Sequence, residues 1–238
     1  MNVFCLLTGR GNNTLPDKNV LPVFGQPLLS YPARAASKVV NIENCYISSD
    51  DEKILKAGED CGFGRIQRPA ELAAPDSRHV DTILHGIGEI EKASGSEIDI
   101  LIVMLANSAT IKSEWLSQAI SMLTTDPSIS AVVPAYVEQD HHPFRAKKLN
   151  EKGALVPYFD FGDQDISSNR QDLPANYFLC HNFWALNVKQ SIARQDGFKP
   201  WAFLGKNVHP IIVENSFDVH NREDILRTER WLRENNIV

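Results

Sequence analysis

A loop of small and basic residues follows the first apolar run of the chain. Residues 3–7 are apolar and end in Thr-Gly-Arg-Gly, and Arg10 and Lys18 lie on either side of a small, polar stretch. Gly9 and Gly11 let the backbone approach a ligand closely, and the two cations suit phosphate oxygens. The pattern predicts a phosphate-binding loop after a buried strand, although a plain surface turn with two solvated cations fits the same residues.

Two common phosphate-binding motifs are absent from this loop. The pattern GxxxxGK[ST] does not occur, and Gly9 and Gly11 are followed by Thr14 where a GxGxxG fingerprint has its third glycine. Asp50 and Asp51 do follow the second apolar run, but not in the setting of that fingerprint. A dinucleotide-binding dehydrogenase is therefore strongly disfavoured.

Apolar runs alternate with segments of helical periodicity along most of the chain. This alternation predicts a mostly parallel sheet with helices on both faces, whose ligands lie beyond the carboxyl ends of the strands. The predicted strands are 3–7, 44–48, 98–105, 129–134, 183–186 and 208–213, and the predicted helices are 28–39, 79–92, 113–123 and 222–233, with one more from residue 52. Residues 136–182 break the pattern because they are polar and rich in Asp, Gln and Asn. We therefore expect one domain, residues 1–238, with a lobe of hairpins and loops inserted at 136–182.

Bulk composition excludes several classes of protein. With 238 residues, 43% of them apolar, the chain can bury one substantial core. The net charge of −6 argues against a nucleic-acid partner, and no apolar stretch approaches the roughly 20 residues that span a membrane. The four cysteines lack CxxC spacing, which argues against a zinc site and favours reduced core cysteines. We therefore expect a cytoplasmic protein.

Three sequence blocks carry a family resemblance. They are LPDKNVLPVFGQPLLSYPARAA (15–36), SSDDEKI (48–54) and RPAELAAPDS (68–77). In order and spacing they resemble the acylneuraminate (CMP-sialic acid synthetase-like) cytidylyltransferases, with the octulosonic-acid relatives as a second possibility. The resemblance implies a Rossmann-like nucleotidyltransferase fold. It also implies transfer of CMP from CTP to a nonulosonic (sialic-acid-like) sugar acid, with release of pyrophosphate.

The same resemblance assigns roles in nucleotide binding. Arg10 and Lys18 take the catalytic role of holding the triphosphate, and Arg68 contacts the cytosine or its ribose. The family has Ser-Lys-Gly where this chain has Asn-Asn-Thr, so one phosphate-binding lysine is missing. Ser77 contacts the nucleotide or, equally, caps the following helix. The nucleotide-binding residues implied in this way are Gly9, Gly11, Asn12, Asn13, Arg68, Ser77 and Asn107.

Two motifs in the lobe resemble the family's sugar-binding segments, DHHPFR (140–145) and NRQDLP (169–174). Arg145 is implied to bind the carboxylate of the acceptor, with His142 assisting it. The other sugar-binding residues implied are Arg170, Gln171 and Asn182, with Tyr177 and Phe183 as further walls of the pocket. By the same resemblance the lobe mediates a homodimer, in which one subunit's lobe completes the neighbour's sugar pocket.

A last segment, FDVHNREDI (217–225), resembles a metal-binding DxDxxxD motif. Asp218 and His220 are the implied ligands of Mg²⁺, or of Mn²⁺ because imidazole is a poor magnesium ligand. Asp224 is also present, although it could simply begin the last helix. Leu105 lies where the family has a glutamine that touches base or sugar. These departures leave open another nucleotide or sugar, or a degenerate member that binds without turnover.

Overall fold

The computed structural model describes residues 1–214 and 216–238. Within them the chain forms twelve strands and five α-helices. The strands are β1 (Val3–Thr8), β2 (Pro22–Val23), β3 (Gln26–Pro27), β4 (Cys45–Ser49), β5 (Gly64–Gln67), β6 (Ile100–Leu105), β7 (Ala131–Val137), β8 (Lys147–Leu149), β9 (Leu155–Pro157), β10 (Tyr177–Leu179), β11 (Phe183–Asn187) and β12 (Val208–Ile212). The helices are α1 (Ser30–Ser37), α2 (Glu52–Glu59), α3 (His79–Ser94), α4 (Ser113–Thr125) and α5 (Arg222–Glu234).

Eight strands form one sheet, in the order β10-β7-β11-β6-β1-β4-β5, with β12 also paired to β7. Four pairings are parallel, those of β1 with β4 and β6, of β4 with β5 and of β12 with β7. The predicted mostly parallel sheet is therefore confirmed. Strands β10 and β11 run antiparallel to their neighbours. Sequence could not reveal this, because an apolar run that is buried on both faces looks the same in either direction.

Alternate residues of each central strand pack on opposite sides of the sheet. In β1, Cys5 and Leu7 belong to the core under α1, α2 and α4, whereas Phe4 and Leu6 belong to the core under α3. This is the period-two alternation of an extended strand that is covered on both faces. The predicted placement of helices on both faces is confirmed, and the strand ends are left open for ligands.

The ends of two helices follow from local sequence. The Asp51 carboxylate accepts hydrogen bonds from the backbone N–H groups of Lys53 (2.8 Å) and Ile54 (3.3 Å), and so caps α2. Helix α5 begins with a reciprocal capping box between Asn221 and Asp224. Within the described residues, none of the helices is long and apolar enough to cross a membrane.

The segment between β7 and β10 stands apart from the sheet. Strands β8 and β9 pair only with each other, as an antiparallel hairpin. The predicted lobe of 136–182 includes at its two ends residues that extend the main sheet, because Tyr177 pairs with Val137 and Phe178 with Tyr136. We call the remaining part, residues 138–176, the hairpin lobe.

Candidate active site

A cavity of about 230 Å³ opens where β1 and β6 end, and we call it the strand-edge cavity. Segments that are far apart in sequence meet there, as expected for the carboxyl edge of parallel strands. Its lining residues are Thr8, Gly9, Arg10, Asn13, Lys18, Asn19, Arg68, Leu72, Ser77, His79, Thr82, Leu105 and Asn107. Seven of the predicted nucleotide-site residues therefore meet in one cavity. Gly11 and Asn12 belong to the same loop but are not among the lining residues.

Close packing explains the two glycines of the first loop. A Cβ on Gly9 would lie 3.0 Å from the Cβ of Ala106, and one on Gly11 would lie 2.6 Å from Oδ2 of Asp51. The Gly9 N–H donates to the Ser48 carbonyl (3.1 Å), which ties the loop to the end of β4. The Gly11 N–H donates to the Asp50 carboxylate (3.1 Å), so this amide is already occupied.

Positive charge dominates the first-loop side of the cavity. Arg10, Lys18 and Arg68 all line it, and none of the described lining residues is Asp or Glu. Burial lowers the pKa of Lys18, and the nearby charge of Arg10 lowers it further, while Asp218 opposes the shift. Burial likewise lowers the pKa of Arg68 to about 10. Three partly desolvated cations in one cavity are best compensated by a polyanion.

Arg68 is held rigidly rather than free to move. Its side chain is only 6% exposed, and Nη2 donates to the Ser48 carbonyl at 2.7 Å. The Arg10 side chain is positioned by a longer hydrogen bond, 3.3 Å from its Nη1 to the Ala74 carbonyl. The cationic side is therefore preorganised, with little side-chain entropy left to lose on binding.

A part of the cavity lining without formal charge comes from residues 72–82, and it consists of Leu72, Ser77, His79 and Thr82. Ser77 Oγ lies 3.0 Å from the Leu72 carbonyl and 2.8 Å from that of Ala74. The N-cap of α3 is Arg78, so the alternative interpretation of Ser77 as the helix cap is wrong. His79 also belongs to this part of the lining and was not predicted. Its position two residues after the end of the RPAELAAPDS block, at the start of a predicted helix, was the signal available in the sequence.

Asp218 is not among the lining residues, but it lies near Lys18, which is one of them. Its carboxylate accepts a hydrogen bond from the Ser108 hydroxyl, and its charge raises the pKa of Lys18. The loop after β6 is joined to this segment by Asn107, which donates from Nδ2 to the Val219 carbonyl (3.2 Å) and accepts from the Val219 N–H (3.0 Å). A carboxylate is the kind of ligand that a hard cation such as Mg²⁺ prefers.

The other predicted metal residue is placed differently. The His220 side chain is exposed, and its backbone N–H donates to Asp224 Oδ2 at 2.9 Å. Asp224 is engaged in the capping box of α5. Within residues 1–214 and 216–238 no group of three His, Cys, Asp or Glu side chains could hold a metal by itself. A cation here would therefore take most of its ligands from phosphate and water, as Mg²⁺ commonly does.

The predicted sugar-binding residues do not converge on the cavity within one chain. Arg145 and Gln171 are exposed on the hairpin lobe, and Arg170 forms an ion pair with Asp140. His142 is buried and braces the lobe, since Nε2 lies 3.0 Å from the Pro174 carbonyl.

Two residues expected as walls of the sugar pocket are instead buried in the protein. Phe183 is fully buried in the core beneath the sheet. Asn182 is also fully buried, and its Nδ2 donates to the Thr110 carbonyl at 2.9 Å. Tyr177, by contrast, is 55% exposed. The alternating exposure follows from their positions on and beside β10 and β11.

Comparison with known proteins identifies the family. The cytidylyltransferase family model matches residues 10–177, which include the first loop and most of the cavity. The chain belongs to the cytidylyltransferase family. The resemblance read from the three sequence blocks is thereby confirmed.

Two relatives and one solved structure show how far the likeness extends. An N-acylneuraminate cytidylyltransferase from Streptococcus agalactiae is 23% identical over 230 residues, covering 95% of this chain and 52% of the relative. A pseudaminic acid cytidylyltransferase from Campylobacter jejuni is 25% identical over 205 residues, covering 84% of each. A solved structure of a CMP:2-keto-3-deoxy-manno-octonic acid synthetase complexed with CTP has a TM-score of 0.69 at 15% identity, with 99% of this chain and 100% of that one covered. This last comparison shows the fold, a Rossmann-like nucleotidyltransferase fold. The chain spans about half the length of the Streptococcus relative.

Proposed function

We propose that the chain transfers CMP from CTP to a nonulosonic (sialic-acid-like) sugar acid and releases pyrophosphate. The observation that carries the proposal is the convergence of Arg10, Lys18 and Arg68 on one cavity whose described lining has no carboxylate. Membership of the cytidylyltransferase family supports cytidine as the nucleoside. The names of the relatives, which act on acylneuraminic and pseudaminic acids, support the acceptor class.

In this proposal the hydroxyl on the anomeric carbon of the sugar attacks the α-phosphate of CTP. The hydroxyl gives up its proton to solvent, the bond from the α-phosphorus to the bridging oxygen breaks, and pyrophosphate leaves. Arg10 and Lys18 neutralise the triphosphate and the leaving group, so catalysis rests on positioning and electrostatic stabilisation. Arg68, fixed by Ser48, holds the cytosine or ribose side of the nucleotide.

Mg²⁺ is the proposed cofactor, with Mn²⁺ as the alternative ion. Asp218 supplies a carboxylate oxygen next to Lys18, and the Ser108 hydroxyl orients that carboxylate. When bound, the cation would neutralise charge on the phosphates. The exposed His220, two residues after Asp218, would contribute to such a site through a bridging water.

We propose that the acceptor site is completed in a homodimer. The hairpin lobe exposes Leu149 (67%), Leu155 (72%) and Tyr158 (54%), which are large apolar side chains that a partner would cover. Arg145 and Arg170 are exposed on the same lobe, where a neighbouring chain could receive them. A cytoplasmic location, proposed on the basis of cysteine usage, agrees with four free cysteines.

One observation favours a second candidate. Leu105 lines the cavity in place of the glutamine that touches base or sugar in the family, so a different sugar or nucleotide is the runner-up. A member that binds nucleotide without turnover is the non-enzymatic alternative.

One experiment separates these functions. Purified protein is mixed with each of the four nucleoside triphosphates and with several nonulosonic and octulosonic acids, and pyrophosphate release is measured with Mg²⁺, with Mn²⁺ and with a chelator. The proposal predicts release only with CTP, a sugar acid and a divalent cation. Release with a different triphosphate favours the runner-up. Calorimetric CTP binding without pyrophosphate under every condition shows the non-enzymatic alternative instead.

A further inference from the structure

Residues 107–110, which follow β6, lie alongside residues 216–219 and run in the opposite direction. Two hydrogen bonds between Asn107 and Val219 hold one end of this pair of segments, as described above. The second segment includes Asp218, the proposed metal ligand. The position of its carboxylate therefore depends on how firmly the two segments are joined.

Regular secondary structure does not hold the segment that carries Asp218. Strand β12 ends at Ile212 and α5 begins at Arg222, and the described residues between them belong to no helix or strand. Neither a sheet ladder nor helical hydrogen bonding therefore fixes the backbone in this described part of the chain. Side chains from neighbouring segments take that role, because backbone groups that leave water need other partners.

The Thr110 hydroxyl serves both backbone groups of the residue that precedes Asp218. Its Oγ1 donates to the Phe217 carbonyl (2.9 Å) and accepts from the Phe217 N–H (2.9 Å). A hydroxyl has one proton and two lone pairs, so it makes both bonds at once. Thr110 is fully buried, so water does not compete for these bonds. They fix the backbone from which the Asp218 side chain extends.

Asn182 holds Thr110 in turn. Its Nδ2 donates to the Thr110 carbonyl (2.9 Å) and to the Ser216 hydroxyl, and Ser216 Oγ donates to the same carbonyl (2.9 Å). Asn182 is fully buried and directly precedes β11. The segments beyond β6 and β12 and the start of β11 are thus joined through one threonine, and hydrogen bonds in such a buried network strengthen one another.

We propose that Thr110, held by Asn182, is a positioning residue that places the Asp218 carboxylate for a divalent cation. The carboxylate is then fixed at two points, through its own hydrogen bond from Ser108 and through the backbone that Thr110 holds. Groups behind a metal ligand tune metal affinity by orienting that ligand. This inference rests on the proposed function, because it takes Asp218 to hold the cation that accompanies CTP.

The test measures CTP affinity by calorimetry across a Mg²⁺ titration and in a chelator. Thr110→Val removes the hydroxyl and keeps a similar shape. It should raise the Mg²⁺ concentration for half-maximal enhancement of CTP binding about tenfold. Affinity in the chelator should stay the same, because Arg10 and Lys18 are untouched. Thr110→Ser keeps the hydroxyl and should restore the wild-type titration.

The matched control is Thr228→Val. It removes a hydroxyl that is equally buried but donates to the Asp224 carbonyl (2.7 Å) inside α5. This variant should leave the Mg²⁺ titration unchanged. A shift as large as that of Thr110→Val would show that loss of any buried hydroxyl has this effect, and would overturn the inference.

The remaining outcomes distinguish failure of this inference from failure of the proposed function. If Thr110→Val keeps the wild-type titration, or if Thr110→Ser is equally impaired, the inference is overturned and the proposed function is not. A wild-type protein that binds CTP neither with Mg²⁺ nor in the chelator would refute the proposed function and the inference together. Should Thr110→Val not fold, Ser216→Ala replaces it. That variant removes the hydroxyl that donates to the Thr110 carbonyl and should shift the titration in the same direction, and an unchanged titration would overturn the inference.

Discussion

The strand-edge cavity and the hairpin lobe hold their charged groups in opposite surroundings. In the cavity, Arg68 is 6% exposed and its guanidinium is anchored to a backbone carbonyl. On the lobe, Arg170 reaches only Asp140, in an ion pair whose side chains are both more than half exposed. Exposed ion pairs contribute little, whereas partly buried cations create a strong demand for an anion. This contrast supports the proposal that a single chain preorganises the nucleotide half of the site and that a second copy completes the acceptor half.

The largest expected effect comes from removing charge on the cavity side. Lys18→Ala should reduce pyrophosphate release by about 100-fold or more, because one preorganised cation that stabilises developing charge is lost. Steady-state kinetics with CTP and sugar acid measure this. The matched control is Lys189→Ala, which removes an exposed lysine paired with Glu97 and should leave the rate unchanged. Equal rates for the two variants would show that Lys18 and its cavity take no part in the reaction.

The proposed role of the hairpin lobe in dimer formation is tested by adding charge to its exposed apolar side chains. Leu149 and Leu155 face each other across the hairpin and are both strongly exposed, so Leu149→Asp with Leu155→Asp should weaken a dimer about tenfold or more. In an isolated chain the same exposed substitutions would change stability by less than about 0.5 kcal/mol.

In this double variant, sedimentation measures dimer formation and calorimetry measures CTP binding, so the two halves of the proposed site are tested separately. We expect loss of the dimer and of turnover with sugar acid, while CTP binding persists. A wild-type protein that sediments as a monomer at all concentrations would refute the proposed completion of the acceptor site by a second copy.

A smaller effect is expected from loss of the hydrogen bond between Ser108 and Asp218. Ser108→Ala removes the hydroxyl that donates to the Asp218 carboxylate, and loss of such an orienting partner should raise the Mg²⁺ concentration for half-maximal rate by about tenfold. Rates measured across a magnesium titration, at saturating CTP, give this value. A shift of the same size in Ser94→Ala, a surface serine on α3, would show that the effect is unspecific.

The smallest expected effect tests whether the segment just after Asp218 stabilises the fold or binds the metal. Asn221→Ala removes the capping box of α5 and should lower the free energy of unfolding by about 1 kcal/mol, measured by denaturant titration. The magnesium requirement should not change, because Asp224 acts as part of the cap. A changed magnesium requirement with unchanged stability would place this segment in the metal site instead.

Short stretches of sequence determine the features that depend on interactions between neighbouring residues. The Gly-Arg-Gly loop after β1, the Asp51 cap of α2 and the alternation of strands and helices each depend on a few neighbouring residues. Backbone freedom, capping and hydrophobic periodicity act over that range. Seven of the residues predicted from the sequence to bind the nucleotide line one cavity as a result.

Tertiary structure alone decided the features that join distant segments. Ser108 and Asp218 are 110 residues apart in sequence, and their hydrogen bond exists only because β6 and the segment after β12 end at the same edge of the sheet. The antiparallel direction of β11 buries Phe183 and places Trp184 against His79. Strand direction is set by pairing energies between segments rather than by the run itself. The sequence determined which groups could do chemistry, and the packing of the sheet determined which of them meet.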